Sequence, residues 1–206
     1  DLKICVVEKE NRLTPHQTSH NSGVIHSGVY YRPGGDKALN CSKGYRYLLD
    51  FCDKHEVPYD LCGKVVVATK EEQRPLLDDI FQRGLANGLQ GIRKIGPEET
   101  HDIEPHVQVV EAIHVPQSGI IDYAEVARKY WELTEAKGGV AMLGQPVEHI
   151  HRYPDEVIVV TPQQRIRTKV LVTCAGLYAD KLAKMSGQAI DFKILPFRGE
   201  DYLLDE

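Results

Sequence analysis

The sequence predicts an α/β fold of mixed parallel and antiparallel strands with helices between them, and three observations carry the prediction. Near its start, the β-branched run Lys3-Ile-Cys-Val-Val-Glu8 closes on an acid, the pattern of a strand buried in a parallel sheet. Apolar positions stepping by three and four then alternate with further strand-like runs, as where helices lie between strands. From residue 147 the chain turns β-rich, its runs separated by Pro154-Asp155 and by Pro162-Gln-Gln.

Taken in order, the first strand leads into a polar loop over residues 9–35, rich in His, Ser, Asn and Gly and too long for a simple connector. Ala38, Cys41, Tyr45, Leu48 and Cys52 then mark one face of a helix ending near His55. Gly63-Lys-Val-Val-Val-Ala-Thr69 reads as a strand, and residues 71–85 as a second helix closed by Gly88. Asp122-Tyr-Ala-Glu125 resembles a capping box and opens a helix through Lys137, which Gly138-Gly139 terminates. Strands are expected over 147–150, 157–161 and 166–173. The last meets Cys174-Ala-Gly176 and a short helix over 178–185, followed by an extended segment with a turn over 194–204. A chain that opens inside a strand is expected to be an internal fragment.

Composition narrows the function classes. The 206 residues carry 25 Lys and Arg against 30 Asp and Glu, a net charge of −5, with 42% hydrophobic residues. This is a globular balance for one large or two small domains, and its mild acidity argues against a nucleic-acid surface. No apolar stretch approaches the roughly 20 residues of a membrane span, and no signal-peptide pattern opens the chain. Cys5, Cys41, Cys52, Cys62 and Cys174 are odd in number and never spaced C-x-x-C. They read as reduced, buried thiols of an intracellular chain, against both a disulfide framework and a cysteine zinc site.

Three places could carry chemistry. An acid ending the second strand of a βαβ unit can accept hydrogen bonds from a ribose hydroxyl, a role open to Glu8, although such an acid is also a common solvated turn residue. The loop Pro15-His-Gln-Thr-Ser-His-Asn-Ser-Gly-Val-Ile-His-Ser-Gly28 offers small residues for close approach, neutral donors for a phosphate, and imidazoles that move protons near neutral pH. A plain Ser/Asn-rich surface loop would look similar. His16 and His20 have the i, i+4 spacing of a zinc helix, but Pro15 suits only a helix start and no Glu stands beside them, so no metal is expected. The Cys174-Ala-Gly176 junction places small residues where a ligand can pack on backbone.

The Val-Val-Glu-Lys strand, the loop from His16 to Tyr31, Cys62-Gly-Lys64, Gly119-Ile-Ile-Asp-Tyr123, Thr173-Cys-Ala-Gly-Leu177 and Pro196-Phe-Arg-Gly199 together resemble one family. It is the L-2-hydroxyglutarate dehydrogenase branch of the FAD-dependent, D-amino-acid-oxidase-like superfamily, and the resemblance runs the length of the chain. It implies an incomplete Rossmann-like FAD-binding domain over 1–60 and 145–190, and an incomplete substrate domain with a mixed or antiparallel sheet over 61–144 and 191–206. The glycine-rich phosphate-binding turn would lie upstream of Asp1 and further substrate-domain strands beyond Glu206. The resemblance implies that Glu8, with Lys9 beside it, binds the adenosine ribose. It also implies that Thr18, Ser19, His20, Asn21 and Ser22 lie along the flavin and pyrophosphate, that Val147 contacts the adenine side, and that Cys174, Ala175 and Gly176 pack on the dinucleotide.

The implied reaction is oxidation of the C2 alcohol of L-2-hydroxyglutarate to 2-oxoglutarate with hydride transfer to flavin N5. A base must take the hydroxyl proton, and His20 and His26 are the candidates, with His16 third. The dicarboxylate substrate needs cations or hydroxyls, for which Arg198 offers a guanidinium fork and Tyr30, Tyr31 and Arg32 are further candidates. Arg198 could equally be a surface ion pair. The resemblance further implies a quinone acceptor with a peripheral membrane contact. The protein would then be cytoplasmic or on the inner membrane face in a bacterium, mitochondrial in a eukaryote. Two other readings stay open: a flavin amine or amino-acid oxidase of the same superfamily, and a catalytically silent fragment that does not retain FAD.

Overall fold

The computed structural model describes residues 2–200 and has the mixed α/β architecture expected. Residues 201–206, which include the end of the expected extended segment and of the expected substrate domain, lie outside the described residues. The chain divides into two compact units: Gly23–Val126, and the residues up to Ser22 together with those from Ala127 onward. These boundaries follow packing, whereas those expected from the sequence, after residues 60, 144 and 190, follow assigned roles.

In the Gly23–Val126 unit, strand β2 (Val24–Ile25) leads through a turn to helix α1 (Asp36–His55) and strand β3 (Tyr59–Asp60). Strand β4 (Val65–Ala68) precedes a 3₁₀ turn at Glu71–Gln73 and helix α2 (Arg74–Ala86). Strand β5 (Arg93–Ile95), helix α3 (Pro97–Ile103), and strands β6 (Glu111–His114) and β7 (Gly119–Ile121) follow. β6 is the central strand of the antiparallel sheet β4-β6-β5, and β7 of the antiparallel sheet β2-β7-β3. One core cluster gathers Val29, Ala68, Leu77, Leu89, Ile92, Ile113 and Val115, and a second Ile25, Cys52, Val57, Ile121 and Val126. Ala112 and Ile113 are wholly buried, as the centre of a covered sheet requires. Gly119 is needed where β7 passes β3, because a Cβ there would collide with the Asp60 carbonyl oxygen.

Local chemistry explains the helix ends. Gln73 Oε1 accepts from the amides of Thr69 and Lys70 at 2.8 and 3.2 Å, fixing the entry to α2. Asp36 opens α1, while Lys54 and His55 close it, complementing its dipole. Helix α4 (Tyr123–Glu135) begins where Asp122 Oδ1 accepts from the Ala124 amide at 2.8 Å, and the Gly139 amide closes on the Thr134 carbonyl at 2.9 Å.

In the other unit, strand β1 (Cys5–Val7) pairs in parallel with β8 (Val140–Met142), matching Cys5 to Val140 and Val7 to Met142. Strands β9 (His149–Arg152), β10 (Val157–Val160) and β11 (Arg165–Thr168) form an antiparallel sheet, and helix α5 (Ala179–Met185) follows a 3₁₀ turn at Gly176–Tyr178. The Thr161 hydroxyl donates to Gln145 Oε1 at 2.8 Å, so the pair satisfies its buried polar atoms internally.

Three expectations are corrected. β1 is not buried: Cys5 and Val6 are exposed and Val7 half-buried, and β8 is its only strand partner among the described residues. The last β run stops at Thr168 rather than Thr173, since no strand among the described residues takes the hydrogen bonds of residues 170–173, and Val170 and Val172 lie exposed. The cysteines are unpaired, but only Cys52 is buried; Cys41 is half-buried, and Cys5, Cys62 and Cys174 are exposed on short or irregular segments.

Candidate functional site

The end of β1 and the polar loop that follows are fixed by backbone and side-chain bonds together. The Glu8 amide donates to the Met142 carbonyl at 2.9 Å, and the Glu8 and Glu10 carbonyls accept from the amides of Gln145 and Gly144. Glu8 Oε1 accepts from the Glu10 amide at 2.9 Å, and Oε2 has no protein partner among the described residues. Lys9 pairs with Glu10, whose carboxylate also meets His16 Nε2 at 3.2 Å. The Lys9 hydrogen bond, with the nearby positive charges, holds the Glu10 carboxyl below its ordinary range, and the same bond raises Lys9.

Past Pro15 the loop folds into a pair of tight turns, with the Ser19 amide bonded to the His16 carbonyl and the His20 amide to that of Gln17. The Ser19 hydroxyl bonds the Thr14 carbonyl, and Asn21 Nδ2 donates to the carbonyls of Gln17 and Thr18, each at 2.9 Å. Such side-chain closures let a polar loop hold one shape without a strand partner. His20 Nδ1 lies 3.0 Å from the His16 carbonyl oxygen and 3.1 Å from Ser19 Oγ. A carbonyl partner calls for the proton on Nδ1, which in the neutral ring puts the lone pair on Nε2.

The Cys174–Gly176 junction, distant in sequence, sits against this loop. Gly176 has φ +51°, and a Cβ there would approach Gln17 Oε1 to 3.4 Å. Lys9 Nζ lies 5.2 Å from the centre of the Tyr178 ring, whose amide donates to the Ala175 carbonyl at 2.8 Å. Glu8, Lys9, residues 16–21 and the Ala175–Tyr178 turn therefore come together, and Thr18, Ser19, His20, Asn21, Ser22 and Cys174 are solvent-facing. Val147 is half-buried between β8 and β9. Arg198 is not drawn to this group; it is 86% exposed, with Nε 3.4 Å from Glu200 Oε1, in the extended segment after α5.

The rest of the loop belongs to the Gly23–Val126 unit. His26 follows β2 and is exposed, and its carbonyl accepts from Cys41 Sγ at 3.3 Å. The hydroxyls of Ser27 and Ser118 are 3.0 Å apart. Tyr31 is half-buried, its amide bonded to the Gly28 carbonyl at 3.2 Å. Asn87, at the C-terminal cap of α2, donates from Nδ2 to the carbonyls of Gly28 at 3.0 Å and Tyr31 at 2.9 Å. Sequence reasoning passed over Asn87 and Ser118, because their partners lie more than fifty residues away and Asn before Gly88 reads simply as a helix end.

The FAD dependent oxidoreductase family (DAO) matches residues 1–206, the whole of this chain. The chain belongs to that family. L-2-hydroxyglutarate dehydrogenase from Indibacter alkaliphilus is 48% identical over 203 residues, covering 98% of this chain and 51% of its own length. The human mitochondrial enzyme of the same name is 40% identical over 216 residues, covering 98% and 46%. Among solved structures, the dithionite-reduced L-alpha-glycerophosphate oxidase of Mycoplasma pneumoniae with FAD bound superposes with a TM-score of 0.86 at 28% identity, over 94% of this chain and 52% of that one. The chain spans about half the length of the curated relatives it matches.

The donor set in this family member fits a dinucleotide. A ribose needs an acceptor for its hydroxyls, and Glu8 Oε2 stands open at a strand end. Close approach of a ligand to backbone needs small residues, which Ala175 and Gly176 supply beside Gln17, on the loop that also carries the exposed Thr18 and Ser22. No group of three or more His, Cys, Asp or Glu among the described residues is placed to hold a metal ion, and none of their helices is long and apolar enough to cross a membrane.

Proposed function

We propose that the whole protein containing this chain is an FAD-dependent dehydrogenase that oxidises L-2-hydroxyglutarate to 2-oxoglutarate. The observation that carries the reading is the 48% identity, sustained over 98% of the chain, to a protein named for that activity. The convergence of Glu8, the 16–21 loop and the Ala175–Tyr178 turn supports it with a donor set suited to the cofactor.

When bound, FAD supplies the hydride acceptor that no side chain can provide. Glu8, with Lys9 beside it, binds the adenosine ribose, and Thr18, Ser19, His20, Asn21 and Ser22 lie along the flavin and pyrophosphate. Val147 takes the adenine side, while Cys174, Ala175 and Gly176 let the dinucleotide lie on backbone. A loop histidine, His20 or His26, accepts the C2 hydroxyl proton; proton transfer of this kind contributes about 10²–10⁴-fold. The contact of His20 Nδ1 with the His16 carbonyl supports that role, since it suits the tautomer with Nε2 as acceptor. Arg198 and Tyr31 are assigned to the substrate carboxylates. In this reading the cofactor domain comprises 1–60 and 145–190, and the substrate domain 61–144 and 191–206. A quinone would serve as electron acceptor, with a peripheral membrane contact, and the protein would be cytoplasmic or at the inner membrane face in a bacterium and mitochondrial in a eukaryote.

The test is the visible spectrum of the whole protein, with FAD, on anaerobic addition of substrate. L-2-hydroxyglutarate should bleach the flavin band while the D enantiomer and amino acids leave it. Bleaching by an amino acid or secondary amine instead would make the protein an amine-oxidising relative, and no bleaching by any of them would end the proposal. His20→Asn and His26→Asn, compared under single turnover, identify the base as the one whose loss slows bleaching about 10²-fold or more.

A further inference from the structure

Lys64 has no role in the reading above, yet its surroundings are built with care. Its backbone bonds Val115 in both directions, at 3.1 and 2.8 Å, and Val115 is fully buried, so the residue is fixed at the edge of the core. The side chain is half-buried, with Nζ 4.6 Å from the centre of the Tyr30 ring. Several cations of the same unit are taken, Lys94 by Asp78 and Glu111, Arg83 by Asp79, and Arg93 by Glu99, while Lys37, Lys43, Arg46 and Lys54, which have no carboxylate partner among the described residues, are exposed where Lys64 is half-buried. Among the described residues no carboxylate pairs with Lys64. The exposed Tyr30 ring face orients the ammonium without neutralising it, so the charge stays open to an anion.

The same frame carries the histidine loop. The Gly63 amide donates to the Ser118 carbonyl at 3.0 Å, and the Ser118 hydroxyl meets that of Ser27, next to His26. Tyr30 lies four residues beyond His26, its carbonyl accepting from Arg83 at 3.3 Å. One hydrogen-bonded scaffold thus holds a histidine, an aromatic ring and an ammonium that has no carboxylate partner among the described residues.

We propose that the Lys64 ammonium, held over the Tyr30 ring, binds a carboxylate of the acid substrate. The inference rests on the reading of the whole protein as a 2-hydroxy acid dehydrogenase. It is tested in the whole, flavin-loaded protein with Lys64→Met, Lys64→Gln and Lys64→Arg, each checked for flavin content and melting temperature. Two quantities are read: kcat/KM for L-2-hydroxyglutarate and for L-2-hydroxypentanoate, and the calorimetric Kd for 2-oxoglutarate without turnover. Loss of one charge-assisted hydrogen bond should weaken 2-oxoglutarate binding and kcat/KM about tenfold or more in the Met and Gln variants, chiefly through KM, and Arg should recover most of it. A loss confined to the dicarboxylate puts the ammonium on the distal carboxylate, and a loss shared with the pentanoate puts it on the one at C1; either supports the proposal. Both neutral variants within about twofold of the parent in both readouts would overturn it. Failure of the parent to oxidise L-2-hydroxyglutarate would sink the functional reading alone, because the 2-oxoglutarate titration still tests Lys64.

Discussion

Asn87→Ala should loosen the loop that carries His26 without unseating the helix that Asn87 caps. The Asn87 backbone sits at φ −82° and ψ 2°, a turn conformation with negative φ that is open to alanine as to asparagine, so the change chiefly removes the side-chain bonds. Two bonds are lost. The Gly28 carbonyl keeps the Tyr31 amide as a partner, whereas the Tyr31 carbonyl loses its only one among the described residues. At about 0.5–1.5 kcal/mol for each bond, the net cost is about 2 kcal/mol. Urea unfolding of the whole protein should show that loss in its midpoint, and kcat/KM should fall while flavin content holds. Asn87→Asp, which has the same shape but no N–H to donate, should cost at least as much. Both variants within about 0.5 kcal/mol of the parent would refute the claim that Asn87 fixes the loop.

Gly84→Ala in α2 sets helix propensity, worth about 1 kcal/mol in its favour, against a Cβ that would come within 2.6 Å of Ile92 Cδ1 and 3.3 Å of Val29 Cγ2. The clash should win, lowering the urea midpoint, and adding Ile92→Val should recover part of the loss; a Gly84→Ala protein as stable as the parent would show that Ile92 simply moves aside. The Glu99 carboxyl is held below its ordinary range, first by the Arg93 hydrogen bond and then by the Arg93 charge. A lowered folded-state pKa gives stability that is present above the unfolded value near 4.3 and is lost as pH falls through the folded value. The stability gap between parent and Glu99→Gln, followed by urea midpoint from pH 7 to pH 3, should therefore close on acidification; a gap that widens would contradict the assignment.

Much of the fold was legible because it is written locally. The three- and four-residue steps from Ala38 to Cys52 gave α1, and Asp122 and Gly138-Gly139 bracketed α4 within two residues. The stretch between α2 and α4 was not read, although Pro97 followed by Glu98 and Glu99 is an adequate signal for the start of α3. Its strands of three or four residues are too short to show a period, and β6 earns its central place only through partners on both sides. The reverse error, extending the last β run to Thr173, has the same root: Val170-Leu-Val has strand composition, but a strand exists only where a neighbour takes its hydrogen bonds.

The site followed a different rule. Sequence picked out the loop residues by their side-chain chemistry, and the structure holds many of them by their backbone carbonyls: His16, Gln17, His26, Gly28 and Tyr31 all accept bonds there. The donors to the last three are Cys41 and Asn87, neither of which the motif reading named as functional. A loop outside any ladder must have its carbonyls satisfied by side chains if it is to hold one shape, and the polar residues that do so come from wherever the packed core brings them. A motif can therefore name the groups that do chemistry, while the residues that aim them are found only once the core behind the loop is built. That is why Asn87, buried in function though ordinary in sequence, is the substitution that best separates a positioned loop from a merely polar one.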